Sequence, residues 1–520
     1  MTGSKPPQSP AAPPQAAPAA QAATSAQAAP ATQGGRNTVT MGTLVSLIVG
    51  ATVGTGIFAM PMNAASVAGP GAMLIGWGIA GIGMLSIAFV FQILARRKPH
   101  LDSGVYSYVR AGLGDFVGFA SAWGYWLGSV IAQVGYATLF FSTLGHYLPI
   151  FNEEHRLVNA VAVSAMTWII FFMLTKGVRQ AAVLNVVTTA AKILPIITFI
   201  VVIACVGFSW DTFTGDFWAT RSNLGSVMTQ IKGMMVFTVW AFIGVEGASV
   251  YSKQARSRAD VGRATVLGFM SVLALLVLVS ALSYGVLTQE ELAALPDNSM
   301  ASVMEAAVGP WGAAFISLGL CLSVLGAYVS WQMLCAEPIA MMANDGLIPR
   351  AVGRVNSAGT PVNAQLLSCV VIQLSIVVFF LNQTTYVSMV NLATMMYMLP
   401  YVFSSLYLVL LTTRGKGVTH PGAGTRFDDS GPRIAAKENS THLIVGAVAL
   451  VYSLWLFYAA DPKYLLLGAL LVLPGFIPYV GTRLANKERV FNPLEWAIAA
   501  AVVAGAVVAA VGWASGSLSV

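Results

Sequence analysis

The chain has 520 residues, 57% of them hydrophobic and 9% charged, with a net charge of +7 and a mean hydropathy of +0.74. A soluble domain carries about 25% charged residues, so this composition excludes an ordinary soluble protein. Apolar runs near twenty residues long recur along the chain, which points to membrane helices and excludes a barrel built of short alternating segments.

Residues 1–40 are rich in Ala, Pro and Gln and almost free of large apolar side chains. They lack the apolar stretch of a signal peptide and are expected to be a disordered cytoplasmic tail. Thirteen spans are predicted after it, at about 41–66, 71–95, 115–147, 157–175, 182–208, 228–252, 263–287, 310–342, 362–381, 386–412, 442–460, 464–482 and 492–513. With the N-terminus in the cytoplasm, the loops at 96–114, 176–181, 253–262, 343–361, 413–441 and 483–491 fall inside. They hold most of the 27 Lys and Arg residues. The opposite loops hold Glu153, Glu154, Asp211, Asp216, Glu290, Glu291 and Asp297. This alternation satisfies the positive-inside rule. It accounts for the basic net charge without a nucleic-acid partner, and the odd span count puts the C-terminus outside the plasma membrane.

Two spans carry glycine clusters near their middles: TVGTGIFAMP at 52–61 and AFIGVEG at 241–247. They are the first and the sixth, five positions apart, so they occupy matching places in two halves of opposite orientation, 41–208 and 228–412. That is the pattern of an inverted-repeat transporter with discontinuous helices. The cytoplasmic loop 413–441 and three peripheral helices at 442–513 follow. Where such a helix unwinds, backbone N–H groups begin one half-helix and C=O groups end the other. The first attract a carboxylate and the second an ammonium, together a receptor for the two ends of an amino acid. Close packing through small residues is the alternative reading of the glycines.

Lys192, Glu246 and Glu337 lie well inside spans. A charge there costs at least about 2.5 kcal/mol, so each is expected to be paired or functional. Cys205, Cys321, Cys335 and Cys369 fall in apolar segments and are read as packing residues. They and the five histidines show no metal-ligand spacing, and no phosphate-binding GxxxxGK[ST] or GxSxG elbow occurs. A nucleotide-driven pump and an intramembrane hydrolase are therefore excluded, and no cofactor or metal is expected.

GTGIF at 54–58, WAFIGVEGASVYS at 240–252 and WQMLCAEPIAMMANDGLIPRAVGRVNSAGTPVNA at 331–364 resemble the amino acid–polyamine–organocation superfamily. Within it the chain is similar to the basic amino acid antiporters of the arginine/ornithine type. ARRKPHLDSGVYSYVRAGLGD at 95–115, SAWGYWLGSVIAQVGYATLFFSTLGHY at 121–147, ELAALPDNSMASV at 291–303 and GVTHPGAGTRFDDSGP at 417–432 look closest to lysine permeases of that group. The resemblance runs from about residue 40 onward. It implies an all-α polytopic, leucine-transporter-like fold of two inverted five-helix repeats, with helices 1 and 6 discontinuous and three peripheral helices. It places Gly54, Thr55 and Gly56 at the substrate carboxylate, and the backbone carbonyls of Thr52, Trp240 and Ile243 at the amine. The Trp240 ring and Trp331 match two gates, Glu246 a glutamate of proton sensing, and Lys192 a lysine where sodium-coupled relatives hold an ion. Ser129 departs from the asparagine of the arginine/agmatine exchangers. Glu337 either balances Lys192 or faces the substrate's distal ammonium. The implied substrate is a cationic amino acid, lysine first and arginine or ornithine second. A homodimer is one option for assembly, and a receptor that binds without turnover is the alternative of another class.

Overall fold

The computed structural model describes residues 41–98, 101, 104–175, 179–244, 258–357, 359–414 and 434–518. Among them the chain is helical, with no strand. In chain order the α-helices are α1 (Met41–Thr52), α2 (Met60–Ala65), α3 (Pro70–Arg97), α4 (Ser107–Leu113), α5 (Asp115–Gly145), α6 (Arg156–Thr175), α7 (Arg179–Val202), α8 (Trp210–Gly215), α9 (Val227–Phe242) and α10 (Arg258–Ser283). They continue with α11 (Gln289–Ala293), α12 (Ser299–Val308), α13 (Pro310–Asn344), α14 (Val362–Asn382), α15 (Tyr386–Arg414), α16 (Ala436–Ala459), α17 (Pro462–Val472), α18 (Phe476–Ala485) and α19 (Pro493–Ala514).

Helix starts follow from local chemistry. Proline, whose missing N–H costs nothing in a first turn, opens α3, α13, α17 and α19. Asn492 and Glu495 exchange capping bonds at the start of α19, as Thr288 and Glu291 do at α11. Gly114 and Gly309, at φ 101° and 86°, make the corners between α4 and α5 and between α12 and α13.

Among the described residues ten helices are long and apolar enough to cross a membrane. The first and sixth predicted spans are built differently, from shorter pieces, while the fifth is the 24-residue α7. For the first, α1 stops at Thr52, a single 3₁₀ turn occupies Thr55–Ile57, and the helix resumes at Met60. In the sixth, α9 stops at Phe242; Ile243 is extended (ψ 131°) and Gly244 takes φ 105°, a backbone that side chains resist. The rest of that span, with Glu246 and Gly247, lies outside the described residues.

Burial separates the centre from the rim. The apolar stretches of α5 and α15 are each 72% buried, against 17% for α19. The centre is α5 packed on α13 and α15, with α9 against α3 and α15. On the rim, Ile444, Leu454, Val507 and Val511 are exposed apolar groups, as expected of faces solvated by lipid.

Candidate functional site

The first break faces α9. A Cβ added to Gly56 would stand 2.8 Å from Trp240 Cδ1, so only glycine lets the unwound backbone lie against the indole. Trp240 is 6% exposed, and its ring packs on Tyr136 of α5 with centroids 5.7 Å apart. The phenols of Tyr136 and Tyr386 both lie near the Thr55 hydroxyl. Thr55 Oγ1 and Tyr386 Oη are nevertheless buried without a hydrogen-bond partner among the described residues. Such buried polar groups carry a desolvation cost that a ligand would relieve. Thr52 closes α1 by donating its hydroxyl to the Ile48 carbonyl at 2.9 Å. Gly54, the N-cap of the 3₁₀ turn, is extended, with room around a notional Cβ.

Lys192 of α7 is buried, and its Nζ donates to the Gly50 carbonyl at 2.5 Å. This carbonyl is in the last turn of α1, where the helix dipole favours a cation. Lys192 therefore ties α7 to the break, and among the described residues it engages a carbonyl and not the Glu337 carboxylate. Glu337 is half-buried on α13, next to Pro338.

Ser129 and Trp331 meet through a third residue. The Ser129 hydroxyl donates to the Tyr125 carbonyl at 2.9 Å and accepts from the Tyr397 phenol at 2.9 Å. The Tyr397 ring lies 6.0 Å from that of Trp331 and 5.0 Å from that of Tyr125. Ser129 is thus committed on both sides, and the aromatic cluster around Tyr397 surrounds it.

A cavity of about 740 Å³ opens on the face that carries the acidic loops. Asp297, Glu305, Arg156 and His146 line it, and Tyr386 lines it as well. Thr55, Gly56, Trp240 and Trp331 do not. The open space and the sequence-predicted site therefore adjoin at Tyr386 but do not coincide. The wall bearing the acids is fastened to α2. Met300 N–H donates to the Phe58 carbonyl at 2.9 Å, Met62 N–H to Ser299 Oγ at 3.1 Å, and the Gln289 side-chain amide to the Ala65 carbonyl at 2.5 Å.

The opposite, basic-loop face is joined by charge. Arg110 pairs with Asp345 at 2.6 Å and Asp115 at 2.8 Å, and Arg483 pairs with Asp115 at 3.0 Å and Glu488 at 2.7 Å. Tyr106 donates its hydroxyl to Asp345 at 2.7 Å. Burial, reinforced by that bond, holds the Tyr106 phenol well above the usual tyrosine value, so it stays a neutral donor. Nearby, Arg96 pairs with Glu438 and Arg97 donates to Asn439 at 2.8 Å.

Sequence reasoning missed Tyr136, Tyr386 and Tyr397. Tyr136 stands seven residues after Ser129 on the same helix, so two helical turns from Ser129 would have found it. Tyr386 and Tyr397 are brought in across more than 240 residues of chain, for which the sequence holds no local signal.

The amino acid permease family matches residues 40–482. The L-lysine transport protein of Corynebacterium glutamicum is 66% identical over 482 residues, 93% of this chain and 96% of its own length. The arginine/ornithine antiporter of Pseudomonas aeruginosa is 46% identical over 486 residues, 92% of this chain and 98% of its own. An arginine/agmatine antiporter of Chlamydia pneumoniae is 35% identical, covering 89% and 94%. These are names of transporters and not of enzymes, and none is a receptor. With its long apolar helices the chain is a multi-pass membrane protein, and it belongs to the amino acid permease family.

Proposed function

We propose that the chain is a secondary transporter of cationic amino acids, lysine first, working by alternating access between two inverted repeats at 41–208 and 228–412. The observation that carries this reading is the break at 53–56 pressed against Trp240, with Thr55 and Tyr386 offering unsatisfied hydroxyls beside it. It lies in a chain 66% identical to an L-lysine transport protein over nearly full length. The substrate carboxylate goes to the N–H groups of Gly54, Thr55 and Gly56, and the amine to the carbonyls of Thr52, Trp240 and Ile243. Trp240 and Trp331 gate the two sides. Glu246 and Glu337 belong to coupling. Lys192, with its ammonium on the Gly50 carbonyl, supplies a fixed cation that makes transport independent of sodium. The basic loops face the cytoplasm, so the N-terminus is inside and the C-terminus outside. The 46% identity to an arginine/ornithine antiporter favours exchange as the second reading.

Membrane potential separates the modes. Moving one positive charge is worth about 2.3 kcal/mol per 100 mV, roughly a fiftyfold gradient. Labelled lysine uptake into proteoliposomes is expected in choline as in sodium medium, and to be competed by arginine and ornithine but not by neutral amino acids. Uptake that follows a clamped potential identifies uniport. Uptake that requires internal substrate and ignores potential identifies exchange. No lysine, arginine or ornithine flux in any arm would refute the proposal.

A further inference from the structure

We propose that the cavity on the acidic-loop face is a pre-binding site in which Glu305 and Asp297 receive the two ammonium groups of a dibasic amino acid and Arg156 its carboxylate. This rests on the transport reading and orientation proposed above.

Three observations carry it. The first is charge: two carboxylates and one guanidinium line the cavity, beside the His146 imidazole and the Tyr147 and Tyr386 phenols. They are the complement of a molecule with two ammonium groups and one carboxylate. A neutral amino acid would leave one acid unmatched, and opposite charges set close are the usual basis of such discrimination. Glu305 and Arg156 form no ion pair among the described residues, so neither has to be pulled from such a partner. The second is Tyr386, which lines the cavity, is 2% exposed, and has a hydroxyl with no hydrogen-bond partner among the described residues. It also lies near Thr55 and Trp240, so a molecule in the cavity rests one side chain away from the break. The volume, about 740 Å³, is within the range that holds a small ligand and its water.

The third observation is mechanical. Glu305 and Asp297 stand on the segment that Met300, Ser299 and Gln289 fasten to the backbone of residues 58–65. A movement of α2 therefore carries the acids with it. The half-helix that takes the carboxylate in the central site and the acids that recruit the distal ammonium move as one body. Specificity for a second positive charge is thus read before the central site is reached.

The test compares the unmodified protein with Glu305→Gln, Asp297→Asn and Glu305→Asp in proteoliposomes, over a range of external lysine and two salt concentrations. Insertion is checked by size-exclusion profile. Glu305→Gln is expected to raise the external KM about fivefold at low salt, or ~1 kcal/mol, the size of a partly exposed charge contact. Vmax should stay within about twofold, Glu305→Asp should recover most of the loss, and the difference should shrink in high salt as charges are screened. Unchanged KM values in Glu305→Gln and Asp297→Asn, or a fall in Vmax alone, would overturn the pre-binding site while leaving the transport reading intact. An unmodified protein that carries no lysine, arginine or ornithine would defeat both.

Discussion

On the acidic-loop face, the 289–300 segment grips α2 through neutral hydrogen bonds to backbone atoms beside a wide cavity. On the basic-loop face, Arg110, Asp115, Asp345 and Arg483 bind α4, α5, α13 and α18 through charge. The two kinds of fastening differ in what releases them. A buried neutral hydrogen bond depends on geometry and makes two elements travel together, because an unmade bond leaves a desolvated group behind. A partly exposed ion pair is worth about 0–1 kcal/mol and weakens with salt, so it can open without leaving a buried charge. The first suits a joint inside a moving body, the second a clasp between bodies. The break at 53–56, with Lys192 on one side and Trp240 on the other, is where the two regions meet.

The largest effect is expected at that meeting point. Gly56→Ala puts a methyl group 2.8 Å from Trp240 Cδ1. Overpacking of this kind costs about 1–3 kcal/mol, roughly five- to 150-fold if it falls on one conformation only. Lysine exchange should drop by at least an order of magnitude while the protein still inserts, and Gly54→Ala, where a Cβ has room, should drop far less. Equal losses in both variants would mean that the indole contact does not couple the faces.

The clasp comes next. Arg110 and Asp345 are 31% and 39% exposed, so breaking the pair should shift the balance by only about 0.5–1 kcal/mol, or two- to fivefold. The thiol of Cys335, buried on α13 beside Ser129, reports on access to the centre from the basic-loop face. With the other three cysteines changed to serine, Arg110→Ala should speed its labelling two- to fivefold. High salt should do the same to the unmodified protein, and Arg110→Asp combined with Asp345→Arg should restore protection. No change in labelling would show that the pairs decorate this face without closing it.

The parts of this comparison were unequally legible beforehand. Membrane helices and both helix breaks were visible because they rest on local signals: run length, glycine, and charge at run ends. Gly54 and Gly56 stood out because they belong to a contiguous glycine cluster, whereas Thr52 was named through the family resemblance alone. Lys192 and Glu337 were singled out by the cost of a buried charge, but the Gly50 carbonyl as the ammonium's partner was not, because a backbone carbonyl leaves no trace in composition. Tyr136, Tyr386 and Tyr397 were lost among 16 tyrosines, since only tertiary packing distinguishes them. Asp297 was legible only as one of the outer-loop acids and Glu305 was not singled out, because only the folded cavity gives them a common wall.

The smallest effect tests whether the acidic-loop fastening can be loosened alone. The backbone N–H and hydroxyl of Thr288 both donate to Glu291 at 2.8 Å and hold its carboxyl below the usual carboxylate value. A carboxyl depressed in the fold adds stability that is present above its unfolded pKa and is lost as pH falls through the folded one. Local protection of the segment carrying Gln289, Ser299 and Met300 should thus be flat from neutral pH to about 5 and decline below about 4. Thr288→Ala should lower it by about 0.5–1 kcal/mol, as loss of a helix cap does, and shrink the acid-dependent step without abolishing it, since the backbone N–H of residue 288 still donates to Glu291. Amide exchange measured in nanodiscs across this range should change at 288–300 and leave the Cys335 labelling rate as it was. If acid moves both together, the neutral joint and the charged clasp are one mechanical unit, and the separation drawn between the two faces is wrong.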